Sequence, residues 1–93
     1  MYYEMEQSSN PDFYNVAAHL VYNNNMIEEM VAIKKIWKKG EFLFFDLYFY
    51  RTKKSRVINA AFIHDMLDLS TEKYYDDMSL LYDDYLIRKT EPE

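Results

Sequence analysis

Between residues 30 and 63 apolar side chains recur at every second position, a period that predicts β-strands. Three are expected, at about residues 30–38, 41–51 and 55–63. Gly40, the only glycine, falls between the first two, and a two-residue turn at Lys39–Gly40 would use it where a positive φ is needed. That register sets Trp37 opposite Phe42 and Ile36 opposite Leu43. A second turn over Thr52–Ser55 sets Phe49 opposite Ile58 and Phe45 opposite Phe62. One face then gathers Ala32, Ile36, Leu43, Phe45, Leu47, Phe49, Ile58, Ala60 and Phe62, which is the expected core. The opposite face holds Val31, Ile33, Lys35, Trp37, Phe42, Phe44, Asp46, Tyr48, Tyr50, Val57 and Asn59, aromatic but mixed with charge. If no helix covers it, Trp37, Phe42, Phe44, Tyr48 and Tyr50 form a second candidate interface.

Outside this stretch the period changes. Asn10 followed by Pro11 reads as a helix start, and Phe13, Val16, Ala17, Leu20 and Val21 follow helical spacing. The run Asn23-Asn24-Asn25 stops that helix, expected near 11–23. Residues 63–69 read as a turn or short helix, and Ser70 or Thr71 caps a last helix near 71–88. The expected fold class is α+β, a three-stranded antiparallel meander flanked by an N-terminal and a C-terminal helix. It forms one domain over 1–93, with 1–9 as a flexible arm or edge strand and 90–93 as a tail.

Charge is segmented. Residues 1–29 carry Glu4, Glu6, Asp12, Glu28 and Glu29 without any Lys or Arg. Residues 30–63 carry Lys34, Lys35, Lys38, Lys39, Arg51, Lys53, Lys54 and Arg56 against Glu41 and Asp46. Residues 64–93 turn acidic again, and the formal net charge is −5. Surfaces of opposite sign follow. With no cysteine there is no disulfide framework, thiolate nucleophile or Cys-based zinc site. The N-terminus has neither a basic n-region nor an apolar h-region, and no apolar run approaches a membrane span. A soluble, cytoplasmic chain is expected.

Catalytic motifs are missing. A lone glycine cannot write a phosphate-cradling loop. His19 falls off the apolar stripe of the first expected helix and reads as an exposed polar residue, while His64 reads as a turn or cap residue. No enzyme, cofactor or metal is expected. The most telling segment is instead Tyr75-Asp76-Asp77 followed seven residues later by Tyr82-Asp83-Asp84. On a helix that spacing stacks the two Asp doublets ~10 Å apart along one side. Leu80 and Ile87 fall between the columns, where a purely solvated face would carry polar groups.

In character the chain is small, free of cysteine, poor in glycine, acidic and rich in Tyr. It resembles phage-encoded inhibitors of host nucleic-acid enzymes, DNA mimics and anti-CRISPR proteins among them. The strand Phe42–Tyr50, with its basic turn and the strand after it, resembles small SH3-like barrels of bacterial regulators, without a diagnostic motif beyond that stretch. The leading expectation is a non-enzymatic inhibitor that blocks a basic, nucleic-acid-binding surface of a host enzyme through Asp76, Asp77, Leu80, Asp83, Asp84 and Ile87. One alternative is a nucleic-acid-binding or regulatory module using Lys34, Lys35, Trp37, Lys38, Lys39, Arg51, Lys53, Lys54 and Arg56. The other is a structural homodimer, with Leu80 and Ile87 at its helical interface.

Overall fold

A computed structural model describes residues 13–90, so the expected arm at 1–9 and residues 91–93 of the expected tail lie outside the described residues. In chain order the elements are β1 (Val16–Tyr22), β2 (Asn25–Lys39), β3 (Phe42–Phe49), β4 (Lys54–Asn59), a 3-10 turn (Ala60–Phe62), β5 (Ile63–Asp68), β6 (Lys73–Tyr75) and α1 (Met78–Thr90). Every pairing is antiparallel, in the order β4-β3-β2-β1-β5-β6. This is a six-stranded sheet with one C-terminal helix among the described residues, not a three-stranded meander between two helices.

The expected first helix is a strand. Val16, Ala18 and Leu20 are buried on its core side, and Ala17 is buried on the other, where His19 and Val21 are half-exposed. A short run with apolar residues on both sides fits helical spacing as readily as a period of two. The asparagines that would stop a helix instead make a two-residue hairpin turn. Asn23 and Asn24 have φ of 49° and 68°, and Tyr22 pairs with Asn25. Two positive φ values in succession suit a turn that matches strand twist, and Asn tolerates them.

Residues 63–68 and 73–75, expected as a turn and a helix start, pair as β5 and β6. Asp68 organises the turn between them, accepting from the Ser70 N–H at 3.1 Å and the Thr71 hydroxyl at 3.1 Å. Ser70 and Thr71 therefore serve a hairpin rather than a helix cap. The cap falls later. Asp77 precedes α1, and its carboxylate accepts from the Ser79 N–H at 2.9 Å.

Both expected hairpins form, but in shifted registers. The first turn is Gly40–Glu41, with Lys39 opposite Phe42, Trp37 opposite Phe44 and Ile36 opposite Phe45. In the second, Phe45 faces Ile58 rather than Phe62. Both shifts are even in residue count, so the faces are kept. Phe45, Leu47, Phe49 and Ile58 are in the core as expected, whereas Phe62 lies in the 3-10 turn and is 53 % exposed. A bulge at Lys34 makes a further correction. Ile33 pairs with Leu47 and Lys35 with Asp46, so one residue is left over. The side chains before it change faces, which buries Val31 and Ile33 beside Ile36.

The sheet is strongly curled, and chain connectivity requires it. Four strand spacings separate β4 from β5, ~19 Å if the sheet were flat. Only Ala60–Phe62 join them, and the steps from Asn59 to Ile63 reach at most ~14 Å. β2 makes the curl by serving both halves: residues 25–31 pair with β1 and residues 31–39 with β3, and the Lys34 bulge lies just beyond their junction. The concave side holds one core cluster of Val16, Leu20, Val31, Ile33, Phe45, Leu47, Met66 and their neighbours, onto which α1 lays Met78, Leu81 and Tyr85.

Candidate partner-binding surfaces

The register of α1 follows from what it buries. With Met78, Leu81 and Tyr85 against the sheet, the Asp doublets are split between different tasks. Asp77 is spent on the cap. Asp84 is tied to the sheet edge, accepting from the Lys73 ammonium at 2.8 Å and the Tyr75 hydroxyl at 2.6 Å. Those two bonds, Lys73 first, hold the Asp84 carboxyl below the usual carboxylate range. The Tyr75 hydroxyl is pushed well above its ordinary value, by burial first and then by Asp84. Asp76 and Asp83 remain solvent-facing. Leu80 and Ile87 stand between and beyond them, 55 % and 60 % exposed. Of the six residues expected to form the acidic interface, Leu80, Asp83 and Ile87 thus share the outer side of the helix, whereas Asp76 and Asp77 precede it, so the two Asp doublets do not stack on one helix.

Beside that ridge lies an open groove of ≈ 780 Å³ between the start of α1 and the β2–β3 hairpin. Phe42, Leu43, Ile63, Met78 and Tyr82 supply its apolar walls, and Lys38, Glu41, Asp76, Asp77 and Asp83 are its charged lining.

The basic residues do not gather into one patch. Lys38 and Lys39 lie at the β2–β3 hairpin, and Lys53 and Lys54 at the opposite turn. The Arg51 guanidinium donates to the buried Glu29 carboxylate at 2.6 and 3.3 Å. Arg56 lies over the Tyr22 and Phe49 rings, at 5.8 and 5.6 Å. Lys34 donates to the Ser55 hydroxyl at 3.2 Å, and the Lys35 ammonium sits 5.7 Å from the centre of the Trp37 ring. The face that carries Trp37, Phe42, Phe44, Tyr48 and Tyr50 is uncovered among the described residues: Phe42 is 57 % exposed, Tyr50 is exposed and the other three are half-buried.

A polar cluster on β1 and β5 carries no sequence signal. Asp65 is buried, yet each of its carboxylate oxygens accepts from an imidazole, His19 Nδ1 at 2.7 Å and His64 Nδ1 at 2.7 Å. Burial alone would raise the Asp65 carboxyl. Hydrogen bonds from His19, His64 and Tyr74 outweigh it, so the carboxyl lies below its ordinary value. Glu28 approaches His19 Nε2 at 4.0 Å from the other side. His19 and Asp65 are 46 residues apart and meet only because β1 pairs with β5. His64 is the additional residue where that pairing shifts register.

Among the described residues no group of three or more His, Cys, Asp or Glu side chains is placed to hold a metal ion. No described helix is long and apolar enough to cross a membrane. Comparison with protein-family models, with curated proteins and with solved structures gives no match.

Proposed function

We propose that this chain is a non-enzymatic binding protein that occupies a basic, nucleic-acid-binding surface of a partner protein, in the manner of an inhibitor, through the outer ridge of α1. The observation that carries this reading is the pairing of two aliphatic side chains, each more than half exposed, with the solvent-facing Asp83 carboxylate on one short helix and that of Asp76 just before its start. Leu80, Asp83 and Ile87 follow the i, i+3, i+7 spacing by which a helix seats itself in a groove, and Asp76 extends the ridge at its N-terminal end. The acids would steer the encounter with a basic surface, and the apolar contacts would slow release.

The test keeps Asp77 and Asp84 in place, because both serve the fold. Immobilised protein is used to capture partners from a lysate and is compared with the variant Asp76→Asn/Asp83→Asn. A partner that is held by the native chain, released by rising salt, displaced by added duplex DNA and lost on the variant supports the reading. A partner held equally by the variant, or indifferent to salt and DNA, contradicts it, and so does direct binding of duplex DNA by the isolated chain.

A further inference from the structure

The groove beside the ridge brings together three distant parts of the chain. Its apolar lining comes from Leu43 on β3, Ile63 at the start of β5 and Met78 at the start of α1, with Tyr82 a turn further on. Ile63 and Met78 are buried, Leu43 and Tyr82 are half-buried, and Phe42 is 57 % exposed. Ala60 and Ala61 of the 3-10 turn contribute only methyl groups to the same lining. At ≈ 780 Å³ the groove is as large as many ligand-binding clefts.

Its charge is one-sided. Glu41, Asp76, Asp77 and Asp83 line it against a single cation, Lys38. Among the described residues none of these five forms an ion pair, whereas Glu29, Asp65, Asp68 and Asp84 all do. Asp77 caps α1 through the Ser79 N–H, and its carboxylate keeps acceptor capacity beyond that one bond. The positive end of the α1 dipole is worth only about half a charge, too little to balance the four carboxylates. Negative charge therefore stands uncompensated beside exposed apolar surface.

Those two features together select the occupant. The carboxylates repel a nucleic acid or an acidic peptide, and a wholly apolar segment would strip water from them without pairing them. A segment with an apolar side chain between cationic ones answers both. We infer that the groove receives a short basic segment of a partner protein, whose large apolar side chain enters between Phe42, Leu43 and Tyr82. Lys or Arg residues on either side of that anchor meet Glu41 at the hairpin and Asp76 and Asp83 at the helix. The inference rests on the reading of this chain as a binder of basic protein surfaces, and it adds the chemistry of the segment that is bound.

NMR titration of the full chain tests this with a capped pentapeptide, a central phenylalanine between two lysines on each side. The peptide should shift the amide resonances of Glu41, Leu43, Ala61 and Ser79 in a saturable way. Glutamate in place of the lysines should abolish the shifts, and glycine in place of the phenylalanine should raise Kd at least about tenfold. Glu41→Lys reverses a charge and Ala61→Trp fills space, both away from the ridge, and each should raise Kd at least about tenfold. Leu80→Asp, on the ridge and outside the groove lining, should leave Kd unchanged. Spectral dispersion reports folding; if Ala61→Trp disturbs the 3-10 turn, Glu41→Lys alone decides. A peptide that moves no groove resonance at millimolar concentration overturns the inference. So does equal binding of the glutamate or glycine peptide, or native affinity in the folded groove variants. Binding that Leu80→Asp abolishes while Glu41→Lys keeps it overturns the groove and leaves the ridge reading standing. Groove resonances that shift on dilution without peptide would make the occupant a second copy, which also overturns it.

Discussion

Phe45→Ala probes the register that separates the observed sheet from the one read off the strand periods. Phe45 lies in the centre of β3, opposite Ile36 and Ile58, with none of its surface exposed. Truncating a phenylalanine so enclosed costs ~3–5 kcal/mol, the lost transfer energy plus the cavity left behind. A domain of this length has only about 5–15 kcal/mol in total, so the variant forfeits a large share of it. At ~4–8 °C per kcal/mol, the melting temperature should fall by more than about 12 °C. Phe62→Ala supplies the contrast. The sequence register places Phe62 opposite Phe45 in the core, whereas here it is half-exposed in the 3-10 turn, where truncation should cost about 1 kcal/mol or less. Guanidinium unfolding followed by far-ultraviolet circular dichroism measures both. The reasoning fails if Phe45→Ala costs under about 1.5 kcal/mol, or if the two variants are equally destabilised.

Deleting Lys34 should prevent folding or leave a molten state, because without the bulge Val31 and Ile33 turn outward, and a well-dispersed native NMR spectrum would refute this. Asp77→Ala should cost ~0.5–2 kcal/mol through the lost cap, read by thermal melting, while Asp77→Asn should cost less because Asn caps as well. The carboxyls of Asp65 and Asp84 lie below their unfolded values, so the unfolded chain takes up protons first as pH falls. Their contribution is therefore complete above the ordinary carboxylate value of about 4 and is lost below it, and Asp65→Asn should flatten the acid limb of a plot of melting temperature against pH. Tyr75 is shifted upward, so its contribution is complete below the ordinary phenol value of about 10 and declines above it. Tyr75→Phe should lessen that alkaline decline without abolishing it, because Tyr50 and Tyr74 are shifted upward too.

By itself the amino-acid sequence determined what depends on neighbours along the chain. Alternation over residues 30–58 made β2, β3 and β4 legible, together with the core face of Phe45, Leu47, Phe49 and Ile58, because side-chain direction in a strand has a period of two whatever the partner. Turn residues located both hairpins to within a residue or two, and the spacing of Met78, Leu81 and Tyr85 identified the buried side of α1. On the site, the exposed positions of Leu80, Asp83 and Ile87 were readable from the same wheel, whereas Asp76 falls before the helix that the wheel assumed.

The tertiary structure decided everything that depends on partners far away in sequence. β1 is a strand because β2 and β5 pair with it on either edge, and its apolar residues fit helical spacing as well as a period of two. Asp77 and Asp84 look like their neighbours in sequence, but one meets the first turn of a helix and the other meets Lys73 and Tyr75 across a strand edge. The Asp65 cluster draws His19 from 46 residues away. Which carboxylates a fold consumes, and which it leaves to face a partner, is set by pairing between distant strands, and a one-dimensional pattern holds no measure of that distance.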